Sequence, residues 1–337
     1  METIKLDMED YRKLLKEYLL TKDETALYRA EQFSKLSMQH NISPEEIINT
    51  HIEALKELYP SLQKEISDSL NFLLEAMISY GLAYQEFQSL RAKQSELNSE
   101  ISVAANMQQT LLSTIKPQTK GLDIGAISVP ANQMNGDYYH FVTDKKDDSL
   151  GIAVADVIGK GIPAALAMSM IKYSMDSFPE SQRNPSAILE NLNRVVERNV
   201  DPSMFITMFY GLYNPKDAVF SYASAGHEPG FYYHADKGEF EEIEARGLVL
   251  GATDQSKYQQ FERHIKKDDR IILLTDGVSE CRVGDRFIER EEVLDVIKEY
   301  IHLPAQEAVE HVYKHFERVQ DFQLRDDFTL IILRKIV

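Results

Sequence analysis

Four dispersed aspartates are the residues of this chain best suited to chemistry. Asp156 closes the apolar run Ile152-Ala153-Val154-Ala155 and is followed by Gly159-Lys160-Gly161. Asp137 follows Gly136, Asp276 lies in Thr275-Asp276-Gly277, and Asp326 opens the pair Asp326-Asp327. Each stands where a strand is expected to begin or end. A carboxylate buried there unpaired is strongly destabilising, and divalent cations supply the compensating charge. Two such ions lower the pKa of a shared water and clamp a phosphoryl group for in-line attack. Any one of these aspartates could equally be a turn cap. Four in such places point to an oxygen-ligated metal centre.

Rival chemistries find little support. Gly159-Lys160-Gly161 is no Walker loop, since Val154 stands where its first glycine is needed and Gly161 where it needs Ser or Thr. The nine histidines never form an HExxH-like pair. Cys281 is the only cysteine, which excludes disulfide frameworks and cysteine-based zinc sites; its setting suits a buried thiol rather than a nucleophile. A formal net charge of −17 argues against nucleic acid or an anionic membrane as partner. With no apolar run near the roughly 20 residues that span a bilayer, and no signal-peptide h-region, the expectation is a cytoplasmic protein.

The elements that must position the aspartates change character near 113–120. Residues before that boundary read as helices. Tyr11, Leu14, Leu15, Tyr18 and Leu19 recur at helical spacing; Thr21-Lys22-Asp23-Glu24 fits a capping box, and Ser43-Pro44-Glu45-Glu46 repeats the start signal. A fourth helix carries Ile66, Leu70, Leu73, Leu74, Met77 and Ile78. Beyond it Phe87, Leu90, Gln94, Leu97, Ile101, Ala104, Gln108 and Leu111 form a heptad seam, with Gln94 and Gln108 at a positions, so 84–116 is expected to be a dimeric coiled-coil linker. From 121 onward strands are expected at 122–129, 137–143, 150–156, 205–213, 218–224, 229–234, 240–244, 259–265, 270–275 and 328–334, and helices at 163–177, 185–200, 289–302 and 304–319. Hairpin-grouped strands with helices in blocks predict an α+β fold.

The segments Asn135-Gly136-Asp137-Tyr138-Tyr139, Asp156-Val157-Ile158-Gly159-Lys160-Gly161, Ala223-Ser224-Ala225-Gly226-His227-Glu228-Pro229, Gly247-Leu248-Val249-Leu250-Gly251, Thr275-Asp276-Gly277-Val278 and Asp326-Asp327-Phe328-Thr329 resemble, in order, the motifs of the SpoIIE-like branch of the PPM metal-dependent serine/threonine phosphatases. The likeness covers essentially all of 117–337, and the part before it is similar to the stress-response members of Bacillus-type bacteria.

The resemblance implies a central β-sandwich flanked by helices, preceded by an all-α domain and the coiled-coil linker. It implies two Mn²⁺ or Mg²⁺ ions, with Asp156 as the catalytic bridging residue, the Val157 carbonyl beside it, Asp276 and Asp326 on the first ion and Asp137 on the second. Asp326 is chosen over Asp327 because the family's Asp-Asn pair places its ligand first; whether Asp327 also touches metal stays open. Relatives from eukaryotes carry a histidine where Ile158 stands, which leaves the proton donor open among water at the metals, His140 and His227.

The implied activity is phosphoserine protein phosphatase, by direct attack of water on phosphorus without a phosphoenzyme. Its substrate would be a phosphorylated anti-sigma-factor antagonist of the RsbV type, dephosphorylated to release the stress sigma factor. A switch protein of the RsbT type would activate it, and the chain would be a homodimer. The implied division is 1–83 for partner binding and dimerisation, 84–116 for the linker and 117–337 for the phosphatase. The alternative, a catalytically weak phosphatase-like scaffold that binds phosphoproteins, is disfavoured by retention of all four aspartates.

Overall fold

The computed structural model describes residues 8–40, 42–144, 147–159, 161–178, 184–201, 204–283 and 286–337. They fall into two compact units that divide between Asn98 and Ser99.

The first unit is helical. Helices α1 (Met8–Thr21), α2 (Glu24–Gln39) and α3 (Pro44–Leu58) enclose Leu14, Ala26, Phe33, Ile52 and Ala54. The capping signal before α2 is displaced from its expected residue. Thr21 Oγ1 donates back to Glu17 O (2.8 Å), while Asp23 supplies the cap, accepting from Thr25 N (3.0 Å) and Thr25 Oγ1 (2.6 Å). Ser43 occupies the N-cap of α3 without a side-chain cap bond, leaving Pro44 to set the first turn. Helix α4 (Lys64–Leu112) is a single element of 49 residues that runs through Gly81 unbroken. The expected fourth helix and separate linker helix are therefore one. Phe87, Leu90 and Leu97 of the heptad seam are each more than half exposed in the single chain. No helix among the described residues is long and apolar enough to cross a membrane.

The second unit is a sandwich of two five-stranded antiparallel sheets. One sheet has the order β1 (Leu122–Val129), β12 (Phe328–Lys335), β9 (Arg270–Leu274), β6 (Gly230–His234), β7 (Glu239–Ile243). The other runs β2 (Asp137–Thr143), β3 (Leu150–Ile158), β4 (Phe205–Asn214), β5 (Val219–Ala225), β8 (Phe261–His264). Helices α5 (Ile162–Ser177) and α6 (Pro185–Asn199) cover the second sheet; α8 (Arg290–Tyr300) and α9 (Ala305–Val319) cover the first. The short helix α7 (Asp276–Ser279) and the strand pair β10 (Arg282–Val283) and β11 (Arg286–Phe287) have no counterpart among the expected elements.

Side-chain alternation explains the layers. On β3, Leu150, Ile152 and Val154 face the opposite sheet, while Ala153, Ala155 and Val157 face α5 and α6. On β9, Ile271 and Leu273 face the second sheet, and Ile272 and Leu274 face the α8–α9 side. Burial on both faces is why these strands read as nearly continuous apolar runs.

Candidate metal centre

The same alternation gathers the acidic residues at one end of the sandwich. Strands β2 and β3 pair so that Asp137 lies opposite Asp156, and β3 pairs with β4 so that Asp156 lies opposite Thr207. Asp156 continues the series Ile152 and Val154, so it belongs to the inter-sheet face just where the apolar filling stops. From the other sheet, Thr275 continues Ile271 and Leu273, and Thr329 and Asp327 continue Leu333 and Ile331 backwards. Both sheets thus contribute polar side chains to one mouth.

Asp137 is 3% exposed, and its Oδ2 accepts a 2.6 Å hydrogen bond from Thr275 Oγ1. Thr275 is itself fixed, since Thr329 N donates to its Oγ1 (3.2 Å) and its own N–H donates to Thr329 O (3.2 Å). Burial drives the Asp137 carboxyl well above the ordinary range; the charges of Asp156 and Asp327 add to this, while hydrogen bonds from Thr275 and Thr329 oppose it. Gly136 N donates to Asp327 Oδ2, and Gly136 O accepts from Val157 N (3.2 Å). A Cβ on Gly136 would lie 3.1 Å from Asp327 Oδ2 and 3.7 Å from both Asp156 Oδ1 and Val157 O. Three oxygens therefore converge on this glycine, and a side chain there would press on the Asp327 carboxylate.

Asp276 begins α7, and burial raises its carboxyl, with Asp326 the largest of the acidic neighbours that add to the shift. Asp326 is exposed and its Oδ1 accepts from Asp327 N (3.0 Å). Asp327 is 4% exposed and spends both oxygens on main-chain donors, Ala131 N (2.7 Å) and Gly136 N. The sequence pointed to the first member of the pair. The structure places the first beside Asp276 and the second against Gly136 and Asp156.

Asp137 and Asp276 are carboxyls raised by burial, with neighbouring acids adding to the shift, and acids so placed suit an oxygen-ligated divalent cation. Among the described residues, no three His, Cys, Asp or Glu side chains stand close enough together to form a ready-made coordination group. The fit is one of donor chemistry and of placement around Gly136.

A carboxyl whose native pKa is raised binds protons more tightly folded than unfolded. Stability therefore falls as pH rises from the ordinary aspartate value of 3.8 through the raised value of Asp137. Thermal unfolding in EDTA across that interval should show a falling Tm with rising pH, flattened in Asp137→Asn.

Neither histidine candidate reaches the mouth as an acid. His140 is an odd number of places from Asp137 on β2 and so lies on the opposite face, bonded to Asp176 Oδ1 (2.9 Å) and Thr114 Oγ1 (2.9 Å). His227 is buried with Nδ1 2.9 Å from Thr207 Oγ1, and burial pushes its imidazole down to about 4, so at neutral pH it is uncharged. Cys281 is buried and its thiol is pushed up to about 11 by that burial, which removes it as a nucleophile. Thr275 is the site residue that motif reading did not single out as a contributor, and Asp327 the one whose part it left open. The only signal for them was strand parity, usable once the register is known.

Comparison with known proteins bears on this geometry. The family model described as Stage II sporulation protein E (SpoIIE) matches residues 146–335, and that of the phosphoserine phosphatase RsbU N-terminal domain matches 9–83. The phosphoserine phosphatase RsbU of Bacillus subtilis (strain 168) is 58% identical over 327 residues, 97% of each chain. Among solved structures, the SiaA-PP2C domain of Pseudomonas aeruginosa superposes with a TM-score of 0.61 at 19% identity, covering 72% of this chain and 98% of that one. The PP2C phosphatase domain of Bacillus subtilis SpoIIE with a regulatory fragment gives 0.55 at 16%, covering 81% and 99%. At those identities the structures establish the fold, a PP2C-like sandwich behind a helical region.

Proposed function

Because the chain belongs to the SpoIIE family, in its RsbU branch of phosphoserine phosphatases, we propose that it is a Mn²⁺- or Mg²⁺-dependent phosphatase with a two-ion centre at the mouth of the sandwich. The observation that supports this most directly is the convergence of Asp156 Oδ1, Val157 O and Asp327 Oδ2 on Gly136, next to the buried Asp137. In this reading Asp156 would serve both ions, the Val157 carbonyl would help to hold one, Asp276 and Asp326 would hold the first and Asp137 the second. Divalent cations bound there supply Lewis-acid activation of water and neutralise phosphoryl charge. Thr275 orients the Asp137 carboxylate, Asp327 fixes the chain at Ala131 and Gly136, and uncharged His227 braces Thr207 beside Asp156.

The substrate would be a phosphorylated anti-sigma-factor antagonist of the RsbV type, with an RsbT-type switch protein as activator, acting in the cytoplasm. Residues 1–83 would receive the activator and dimerise the chain, 84–116 would link, and 117–337 would hydrolyse. The match of 9–83 to the RsbU N-terminal model supports the first assignment. Full heptads with exposed Phe87, Leu90 and Leu97 support pairing of two α4 helices.

The test is release of phosphate from a phosphoserine form of such an antagonist by the purified chain, with and without the switch protein. Turnover should require Mn²⁺ or Mg²⁺, vanish in EDTA and rise with the partner. Turnover undiminished by EDTA would remove the metal from the mechanism.

A further inference from the structure

We propose that Gln108, in the last turns of α4, is a positioning residue for Asp137; the proposal rests on the metal-centre reading above. Gln108 is 6% exposed although its neighbour Met107 is 59% exposed, so this one polar side chain is turned into the body of its own unit, the second, rather than onto an open seam. Its amide pairs with both main-chain groups of one residue. Nε2 donates to Asn135 O (2.7 Å), and Asn135 N donates to Oε1 (3.0 Å).

Asn135 passes that anchorage onward. Its Oδ1 accepts from Asp137 N (2.9 Å), and its Nδ2 donates to Ser128 Oγ (2.9 Å). The segment entering β2 is irregular, so side chains must satisfy and fix its main-chain groups. Asp327 holds Ala131 and Gly136, Val157 N holds the Gly136 carbonyl, and Gln108 holds Asn135. Of these anchors only Gln108 comes from outside the segment that bears the phosphatase motifs. Its helix end is itself tied down, because Lys172 Nζ donates to Leu111 O (2.7 Å) and Ser113 O (3.1 Å) and Leu112 packs against the α5–α6 core. A glutamine amide, with donor and acceptor side by side, mimics a neighbouring strand here; an apolar side chain of equal length cannot.

The full-length chain carrying Gln108→Met tests this, with Leu112→Ala as a companion that loosens the same helix end without touching Asn135. Mn²⁺ binding is read from the Mn²⁺ concentration at which the Tm begins its logarithmic climb above the EDTA value, independently of turnover. Gln108→Met should raise that concentration about tenfold, as loss of an outer-shell anchor does, and turnover should recover at high Mn²⁺. Leu112→Ala should lower the Tm in EDTA yet keep the wild-type Mn²⁺ dependence. Equal Mn²⁺ dependence in wild type and Gln108→Met overturns the proposal, as does an equal shift in Leu112→Ala. If the wild-type chain shows no Mn²⁺-induced rise, the metal-centre reading itself fails and takes this proposal with it.

Discussion

Asp156→Asn should lower kcat/KM on a phosphoserine substrate by about a thousandfold or more, ~4 kcal/mol of transition-state stabilisation. The reason is position. Asp156 lies opposite Asp137 across β2 and β3, and its Oδ1 reaches the space at Gly136 that Val157 O and Asp327 Oδ2 also approach. Asparagine keeps the shape and loses the charge on which a cation depends. The fold should not suffer, because the Asp156 charge is one of those raising the Asp137 carboxyl. In EDTA the variant's Tm should equal or exceed that of the wild type. Kinetics at saturating Mn²⁺ together with unfolding in EDTA check both halves; near-wild-type turnover would remove Asp156 from the reaction.

Gly277→Ala should act through the backbone instead. A Cβ at Gly277 would lie 2.0 Å from Asp327 O and 2.9 Å from Asp327 C, and neither atom belongs to a side chain that can swing aside. Either α7 or the start of β12 must move, costing about 3 kcal/mol, read as a Tm lowered by roughly 6–12 °C. Activity should fall with it, because the displaced chain carries Asp326 and Asp327. A Tm within a degree of wild type would contradict the close approach of these segments.

Much of this arrangement is legible in the amino-acid sequence. The run from Ile152 to Asp156 is apolar on both faces, so its strand and its terminal carboxylate stand out without tertiary information. The expected 122–129 and 137–143 coincide with β1 and β2. What escaped was whatever depends on partners distant in the chain. Asp326 and Asp327 are equivalent as a sequence pair, and only the β12 register decides which one turns between the sheets. Gln108 falls on a heptad a position, and nothing local reveals that the main chain of Asn135 takes up its amide. The heptad pattern that begins near Phe87 reads as a linker distinct from the helix before it, yet no residue between them stops the helix, and glycine at 81 costs it only about 1 kcal/mol relative to alanine.

The place of β12 has a consequence for the order in which the enzyme comes into being. It is last of the strands in sequence, yet it sits between β1 and β9 and brings Asp326 and Asp327 with it. During synthesis the hairpin bearing Asp137 and Asp156 can pair long before that strand leaves the ribosome, but the first sheet cannot close. A nascent chain without β12 has Asp137, Asp156 and Asp276 but no closed mouth to hold them, so hydrolysis cannot begin on a partly made molecule.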